Sequence, residues 1–431
     1  QNLKFPARFH YLQTSKILYY NGTRDMRAML RNNLIVVMYS SVFLAGIAFK
    51  NSYLQQSSRR RVFAFAATKR STTSVLDKPK WAAGGIVSDM VNTLISFKPL
   101  FSIMKVGARN TLIDTAEKNN IPWRLLSRDL KGKMDILDDN FNNIVDSTIS
   151  YPSYYTQEFH AYSEGNLNWE AACECESATM SMAIRTWPKE SLSVKQAQDR
   201  LRNSFTDAIK EYSQGSLSSS LVSTVKSPFQ VQRAIDIGCS VGVSTFYLAE
   251  AFPEAESILG LDLSPHFLAV ARGRQMRQCG LDFIGKIENE NENENDADSD
   301  ELDTDYDRIQ WKHANIENTD IPDNHYDLVA CSFVFHELPS DASQTVLNEM
   351  HRIAKPGGVV AITDINPGSA VIQNLPPAIF TMMKSTEPWS DQYYALDLVE
   401  ALQQAGFEDT LSTPTDPQHH TILGRKPLAE K

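Results

Sequence analysis

The stretch AIDIGCSVGVSTFYLAE, Ala234–Glu250, decides the fold. An apolar run, Ala234–Ile237, leads into a short turn holding Gly238 and Gly242, and a helical pattern follows. A strand, a tight glycine turn and a helix in that order place backbone N–H groups at the carboxyl end of a strand, where open α/β sheets bind their ligands. Three patterns fit the turn unequally. The nucleotide fingerprint G-x-G-x-x-G fails, because Ser240 and Val243 occupy its second and third glycine positions. The elbow G-x-S-x-G of serine hydrolases matches GCSVG letter for letter and would make Ser240 a nucleophile. However, the preceding residues look helical, and no HGGG-like loop precedes the turn to supply an oxyanion hole. The third pattern, D-x-G-x-G-x-G, has Asp236, Gly238 and Gly242 in place, with Ser240 at its middle glycine.

Downstream, short apolar runs alternate with helical ones. SILGLDLSP (257–265) reads as the next strand and ends on Asp262, where a carboxylate can accept both hydroxyls of a ribose. WKHANIENTDIP (311–322), YDLVACSFVFHELP (326–339) and MHRIAKPGGVVAITDIN (350–366) supply three more strands, with Lys355–Gly358 as a turn before the last. Helices are expected at 243–252, 264–279 and 341–354. This β-α alternation predicts a parallel sheet covered on both faces. A helix near 394–405 is followed by FEDTLST and HHTILGRK, two strands with no helix between them, which implies an antiparallel pair.

In order, these segments resemble the class I S-adenosylmethionine-dependent methyltransferases, in their ubiquinone/menaquinone-type and small-molecule branch. The resemblance covers about 231–425. It implies an α/β, Rossmann-like seven-stranded sheet, parallel with one antiparallel strand, preceded by a mainly helical region. It also implies S-adenosylmethionine as cosubstrate, with Asp236, Gly238, Ser240, Gly242, Asp262, Leu263, Asn315, Ile316, Ser332 and Phe333 at the cofactor. Asn315 would meet the adenine amine, and Ser332 and Phe333 the methionine portion. His336, just past the fourth strand, is the candidate base. YPSYYTQEFHAYSEGNLNWEAACE (151–174) and LPPAIFTMMKSTEPWSDQYY (375–394) are similar to plant and algal chloroplast methyltransferase-like proteins. Tyr154, Tyr155, His160 and Tyr162 are candidates for an aromatic lid, which would favour a sulfonium by cation–π attraction.

The expected acceptor is a small molecule such as a quinone, phenol or lipid. A protein acceptor and a non-catalytic module that kept the fold are the rivals. Of the net charge of −10, eleven negative charges fall in residues 287–307, so the rest of the chain is near neutral and no nucleic-acid partner is expected. The acidic insertion, 285–307, is expected to be a surface segment with nothing to bury. Five cysteines include no C-x-x-C pair; reduced thiols and no metal are expected.

Residues 1–80 read as a targeting leader. Basic residues precede an apolar run, 34–49, and SSRRRVFAFAATKRSTTS follows it. Sixteen residues as a helix span about 24 Å, short of the ~30 Å hydrocarbon core. The arrangement resembles the bipartite plastid leaders of algae with complex plastids. The alternative is an endomembrane anchor, with membrane contact through 34–49. Residues 81–98 read as a linker and 99–230 as a helical lid or cap, with helices at Trp169–Trp187 and Lys195–Tyr212.

Overall fold

A computed structural model describes residues 98–160, 162–215, 229–276, 306–375 and 386–428. The leader, all of the linker but Lys98, most of the Ser-rich connector 214–227, the acidic insertion up to residue 305, and 376–385 lie outside the described residues.

Seven strands form one sheet: β1 (Arg233–Ile237), β2 (Ser257–Asp262), β3 (Ile309–His313), β4 (Tyr326–Ser332), β5 (Ala354–Ile365), β6 (Glu408–Pro414) and β7 (His419–Arg425). Their order is β3-β2-β1-β4-β5-β7-β6. The first five run parallel, and β7 runs against both β5 and β6. The Rossmann-like sheet with a single reversed strand is therefore present. The order reverses between β1 and β4, which puts a crevice at the tip of β1. The Lys355–Gly358 turn is absorbed into β5: pairing jumps from Tyr326–Ala354 to Leu328–Val359, and Gly357 takes φ +81 in the irregularity.

Described helices are α1 (Lys98–Lys118), α2 (Trp123–Lys131), α3 (Met134–Ile144), α4 (Trp169–Thr186), α5 (Val194–Ser213), α6 (Val243–Ala251), α7 (Pro265–Gln275), α8 (Ser340–Ile353), α9 (Ala370–Gln373), α10 (Ser390–Tyr393) and α11 (Leu398–Gln404). Their starts follow local chemistry. Asn168 caps α4 through Ala171 N–H, Ser193 and Gln196 form a reciprocal capping box on α5, and Ser264 caps α7 with Pro265 next in line. Among the described residues, no helix is long and apolar enough to cross a membrane.

Alternation along the strands splits the core in two. Ile235, Ile237, Val329, Cys331, Val360 and Ile362 face α8 and α11 on one side. Ala234, Ile258, Leu328, Ala330, Val359 and Ala361 face the other, where Phe246 and Leu248 of α6 join Phe205, Ile209 and Tyr212 of α5. This corrects the boundary placed at residue 231. Helix α5 is part of the catalytic sandwich, and the Tyr212 hydroxyl donates to the Asp409 carbonyl at 3.1 Å. The preceding helices pack on the same region: Leu130, Leu137 and Ala171–Cys173 meet Val241 of the glycine turn and Phe267 and Val270 of α7. Cys173, Cys239 and Cys331 are buried and Cys175 is half-buried, all as free thiols.

Candidate functional site

The turn after β1 is tied to β2. Gly238 and Cys239 N–H groups donate to the Leu261 carbonyl at 2.8 and 3.0 Å, and Ser240 N–H donates to Asp262 Oδ2 at 2.7 Å. The chain passes through left-handed backbone at Gly238, Ser240 and Gly242, with φ of 69, 52 and 86. Glycine is demanded at 238 on a second count, because a Cβ there would sit 2.5 Å from Val334 Cγ2. Ser240 takes the left-handed conformation that glycine fills in the D-x-G-x-G-x-G pattern, at a cost of about 1–3 kcal/mol. Its hydroxyl lies 3.1 Å from the Cys175 thiol of α4, not against an imidazole. That geometry removes the arrangement a serine nucleophile needs.

Asp236, expected at the cofactor, is wholly buried, and its Oδ1 has no hydrogen-bond partner among the described residues. Its Oδ2 accepts hydroxyl hydrogen bonds from Ser244 and Thr245 at 2.6 and 2.7 Å. It braces the start of α6 beneath the turn, and burial pushes its carboxyl up to about 6 against those two donors. Phe333 is a second correction. At φ +61 its ring turns to the Arg202 guanidinium, 5.3 Å from the ring centre, and to His419. Ile316 lies in the core facing α8, so its side chain is packing.

The other expected residues gather at the carboxyl ends of β1 to β4. Asp262 Oδ1 accepts from Ser264 N–H at 2.8 Å and Oδ2 from Ser240. Each oxygen has a second lone-pair direction with which to accept a hydroxyl of a ribose diol. The Leu263 carbonyl lies 3.1 Å from His313 Nε2, while His313 Nδ1 accepts Asp146 N–H at 2.9 Å, which places the proton on Nε2. Asn315 is half-buried; its Oδ1 accepts Glu317 N–H at 2.9 Å. Ser332 is buried, and its hydroxyl has no partner among the described residues. An orphaned hydroxyl at one strand tip and a half-used carboxylate at another fit an S-adenosyl ligand lying across them.

Of the residues expected in an aromatic lid, Tyr154, Tyr155 and His160 stand near Glu317, Asp262 and Glu337 respectively. The Tyr154 hydroxyl donates to Glu317 Oε1 at 2.7 Å. The Tyr155 phenol is pushed well up, first by burial and then by the charges of Asp262 and Glu337. His160, in left-handed backbone at φ +48, donates its N–H to the Thr386 carbonyl at 3.1 Å. Tyr162 does not join them: its hydroxyl donates to Glu174 at 2.6 Å, beside Arg109, within the helical cover.

Next to Ser332, the turn Phe335–Glu337 presents His336. Its Nδ1 is 2.8 Å from Asp364 Oδ1 at the end of β5, and its backbone N–H donates to Asp364 Oδ2 at 3.2 Å. Burial disfavours the charged ring, but Asp364, Glu387 and Glu337 outweigh it and push His336 up to about 10. The ring of His336, the candidate base, is thus oriented by Asp364 and pushed toward its charged form. Burial raises Glu337 to about 8, against the opposing pull of His336. Glu337, Asp364, Glu387 and Cys175 were missed in the sequence. Glu337 and Asp364 carry a signal in retrospect, since both stand at or just past the tips of central strands.

Residues 235–362 match a family described as "methyltransferase domain". With the reversed seventh strand, this decides the class. The chain carries a class I S-adenosylmethionine-dependent methyltransferase domain. Among curated proteins similar to it, an uncharacterized methyltransferase of Synechocystis sp. is 27% identical over 41% of this chain and 66% of its own length. A demethylmenaquinone methyltransferase of Bacillus licheniformis is 32% identical over 30% of this chain and 42% of its own. The chain thus spans less than two thirds of these relatives. Among solved structures, phosphoethanolamine N-methyltransferase 2 of Haemonchus contortus with S-adenosyl-L-methionine is 15% identical, covering 58% of this chain and 60% of that one, with a TM-score of 0.35.

The methyltransferase domain has a predictable pH response. Burial pushes the Asp262 carboxyl up to about 6, against the N–H groups of Ser264 and Ser240. Only the ionised form can accept two hydroxyls. Affinity for S-adenosylmethionine should be level above about pH 7 and fall as pH drops through 6, approaching tenfold per unit. Calorimetry from pH 5 to 8 checks this; affinity that rose toward pH 5 would contradict it.

Proposed function

We propose that this protein transfers the methyl group of S-adenosylmethionine to a small-molecule acceptor, with a quinol or phenol as the first class to test. The observation that carries the cosubstrate is the Ser240–Asp262 link, which sets a diol-accepting carboxylate beside the glycine turn at the point where strand order reverses. The quinol class is supported by relatives named demethylmenaquinone methyltransferase.

When bound, S-adenosylmethionine supplies a methyl carbon activated by a sulfonium, which an acceptor lone pair attacks in line as the carbon–sulfur pair returns to sulfur. Asp262 holds the ribose, the 238–242 turn lets backbone approach closely, and Asn315 and Ser332 lie where adenine and methionine would be read. Orientation carries much of the rate in such a displacement. Asp364 fixes the His336 ring, and the half-buried Glu337, 4.0 Å from His336 Nε2 and raised to about 8 by burial, takes the proton the acceptor loses when it is in its ionised form. The basic, hydroxyl-rich composition of the leader supports a plastid destination, which a fluorescent fusion of residues 1–80 would test.

Labelled methyl transfer to reduced naphthoquinones and simple phenols tests the acceptor. Label appearing in protein instead would favour a polypeptide substrate. Ser240→Ala should leave methyl transfer largely intact, since it removes only a hydroxyl facing Cys175. A hydrolase losing its nucleophile would drop by about 10⁶. Abolished activity together with phosphonate labelling of wild-type Ser240 would overturn the methyltransferase reading.

A further inference from the structure

We propose that His160, His336 and Glu387 bind a divalent first-row transition-metal ion at the acceptor side of the site; the role of that ion, though not its binding, rests on the methyl-transfer reading above. The three residues come from separate segments: the lid, the turn after β4 and the approach to α10. Their ligand atoms all lie within 4.8 Å of one another. No sequence spacing reveals them, because residues 160, 336 and 387 lie far apart along the chain.

Three features distinguish this group from an ordinary ion-pair cluster. First, the groups converge without bonding: His160 Nε2 is 4.0 Å from Glu387 Oε1 and 3.8 Å from Glu337 Oε1, and His336 Nε2 is 4.0 Å from Glu337 Oε1. All three separations are too long for hydrogen bonds. Ligands about 2.0–2.1 Å from a tetrahedral ion stand about 3.3 Å apart, so atoms now within 4.8 Å of one another would each move inward by less than about 1 Å. Second, Glu387 Oε2 is buried and has no partner among the described residues. Third, His336 has the outer support of a metal-bound histidine. Nδ1 faces Asp364 at 2.8 Å, which leaves Nε2 for the ion. The Asp364 carboxylate is in turn held by Ile365 N–H at 2.7 Å.

Two imidazoles and a carboxylate suit zinc, iron(II) or cobalt(II), and leave positions open for an exogenous ligand. His336 would bind through the Nε2 lone pair of its neutral ring, with Nδ1–H kept toward Asp364. An acceptor hydroxyl on an open position would be polarised by the ion, and its proton would pass to Glu337 as the oxygen–methyl bond forms. That order explains why a second carboxylate, not needed as a ligand, stands at the edge of the group.

The test uses the untagged full chain, stripped with EDTA and titrated with Co²⁺ by visible absorption. S-adenosylmethionine affinity is measured on the same sample by calorimetry. One Co²⁺ per chain with ligand-field bands is expected. Its affinity should fall at least about 100-fold in His160→Ala and in the near-isosteric Glu387→Gln, and about 10–100-fold in Asp364→Asn. Absence of stoichiometric Co²⁺ binding to folded wild type overturns the proposal, as does equal affinity in wild type and Glu387→Gln. If S-adenosylmethionine binds while Co²⁺ does not, the metal site alone falls. If Co²⁺ binds and S-adenosylmethionine does not, the metal site stands and the methyl-transfer reading falls.

Discussion

Replacing Asp262 with alanine should weaken S-adenosylmethionine binding at least about 100-fold. The carboxylate is 7% exposed, so its hydrogen bonds to a ribose would form largely out of water. Each charge-assisted bond contributes roughly 1.5–3 kcal/mol, and two of them exceed the 2.7 kcal/mol that corresponds to about 100-fold. The substitution also strips Ser240 and Ser264 N–H groups of their acceptor, which loosens the glycine turn before any ligand arrives. Asp262→Asn keeps one acceptor oxygen and should fall between the two. Calorimetry with both variants, and circular dichroism to confirm folding, measures this. An unchanged dissociation constant in folded Asp262→Ala would remove Asp262 from the site.

Glu176→Ala should have the largest effect on stability, about 3–5 kcal/mol by denaturant unfolding. Glu176 of α4 pairs with Arg274 of α7, whose side chain is 1% exposed. The same guanidinium donates to the Val241 carbonyl in the glycine turn at 3.1 Å. Removing the carboxylate leaves a buried charge uncompensated, at the joint between the helical cover and the catalytic sheet. Replacing both partners with methionine should recover most of the loss, because the penalty comes from the unpaired charge. A loss under about 1 kcal/mol in Glu176→Ala would show that the cover contributes little to the fold of the domain.

The sheet was legible because its signals are local. Each strand is a short apolar run, and Asp262 ends its run where a ligand-facing acid must stand. The two closing runs, with no helix between them, gave the reversed strand directly. What escaped depends on distant contacts. Helix α5 reads as one more amphipathic helix of the cap, and only the sheet face that receives Phe205, Ile209 and Tyr212 makes it part of the sandwich. Asp236 stands in a binding motif, yet the inward side of β1 and the hydroxyls of Ser244 and Thr245 claim its carboxylate. Phe333 follows a residue at the site but turns away through a left-handed backbone that its side chain does not announce. His336 was visible, but Asp364 and Glu387, which decide its charge, lie on other elements.

The central claim is that the crevice at the carboxyl tip of β1, where strand order reverses, binds S-adenosylmethionine. Isothermal titration of the full chain with S-adenosylmethionine and S-adenosylhomocysteine, with NAD as control, tests it most directly. Saturable one-to-one binding of both sulfur nucleosides and none of NAD is the predicted result. Binding of NAD without binding of either sulfur nucleoside, in folded protein, would contradict it.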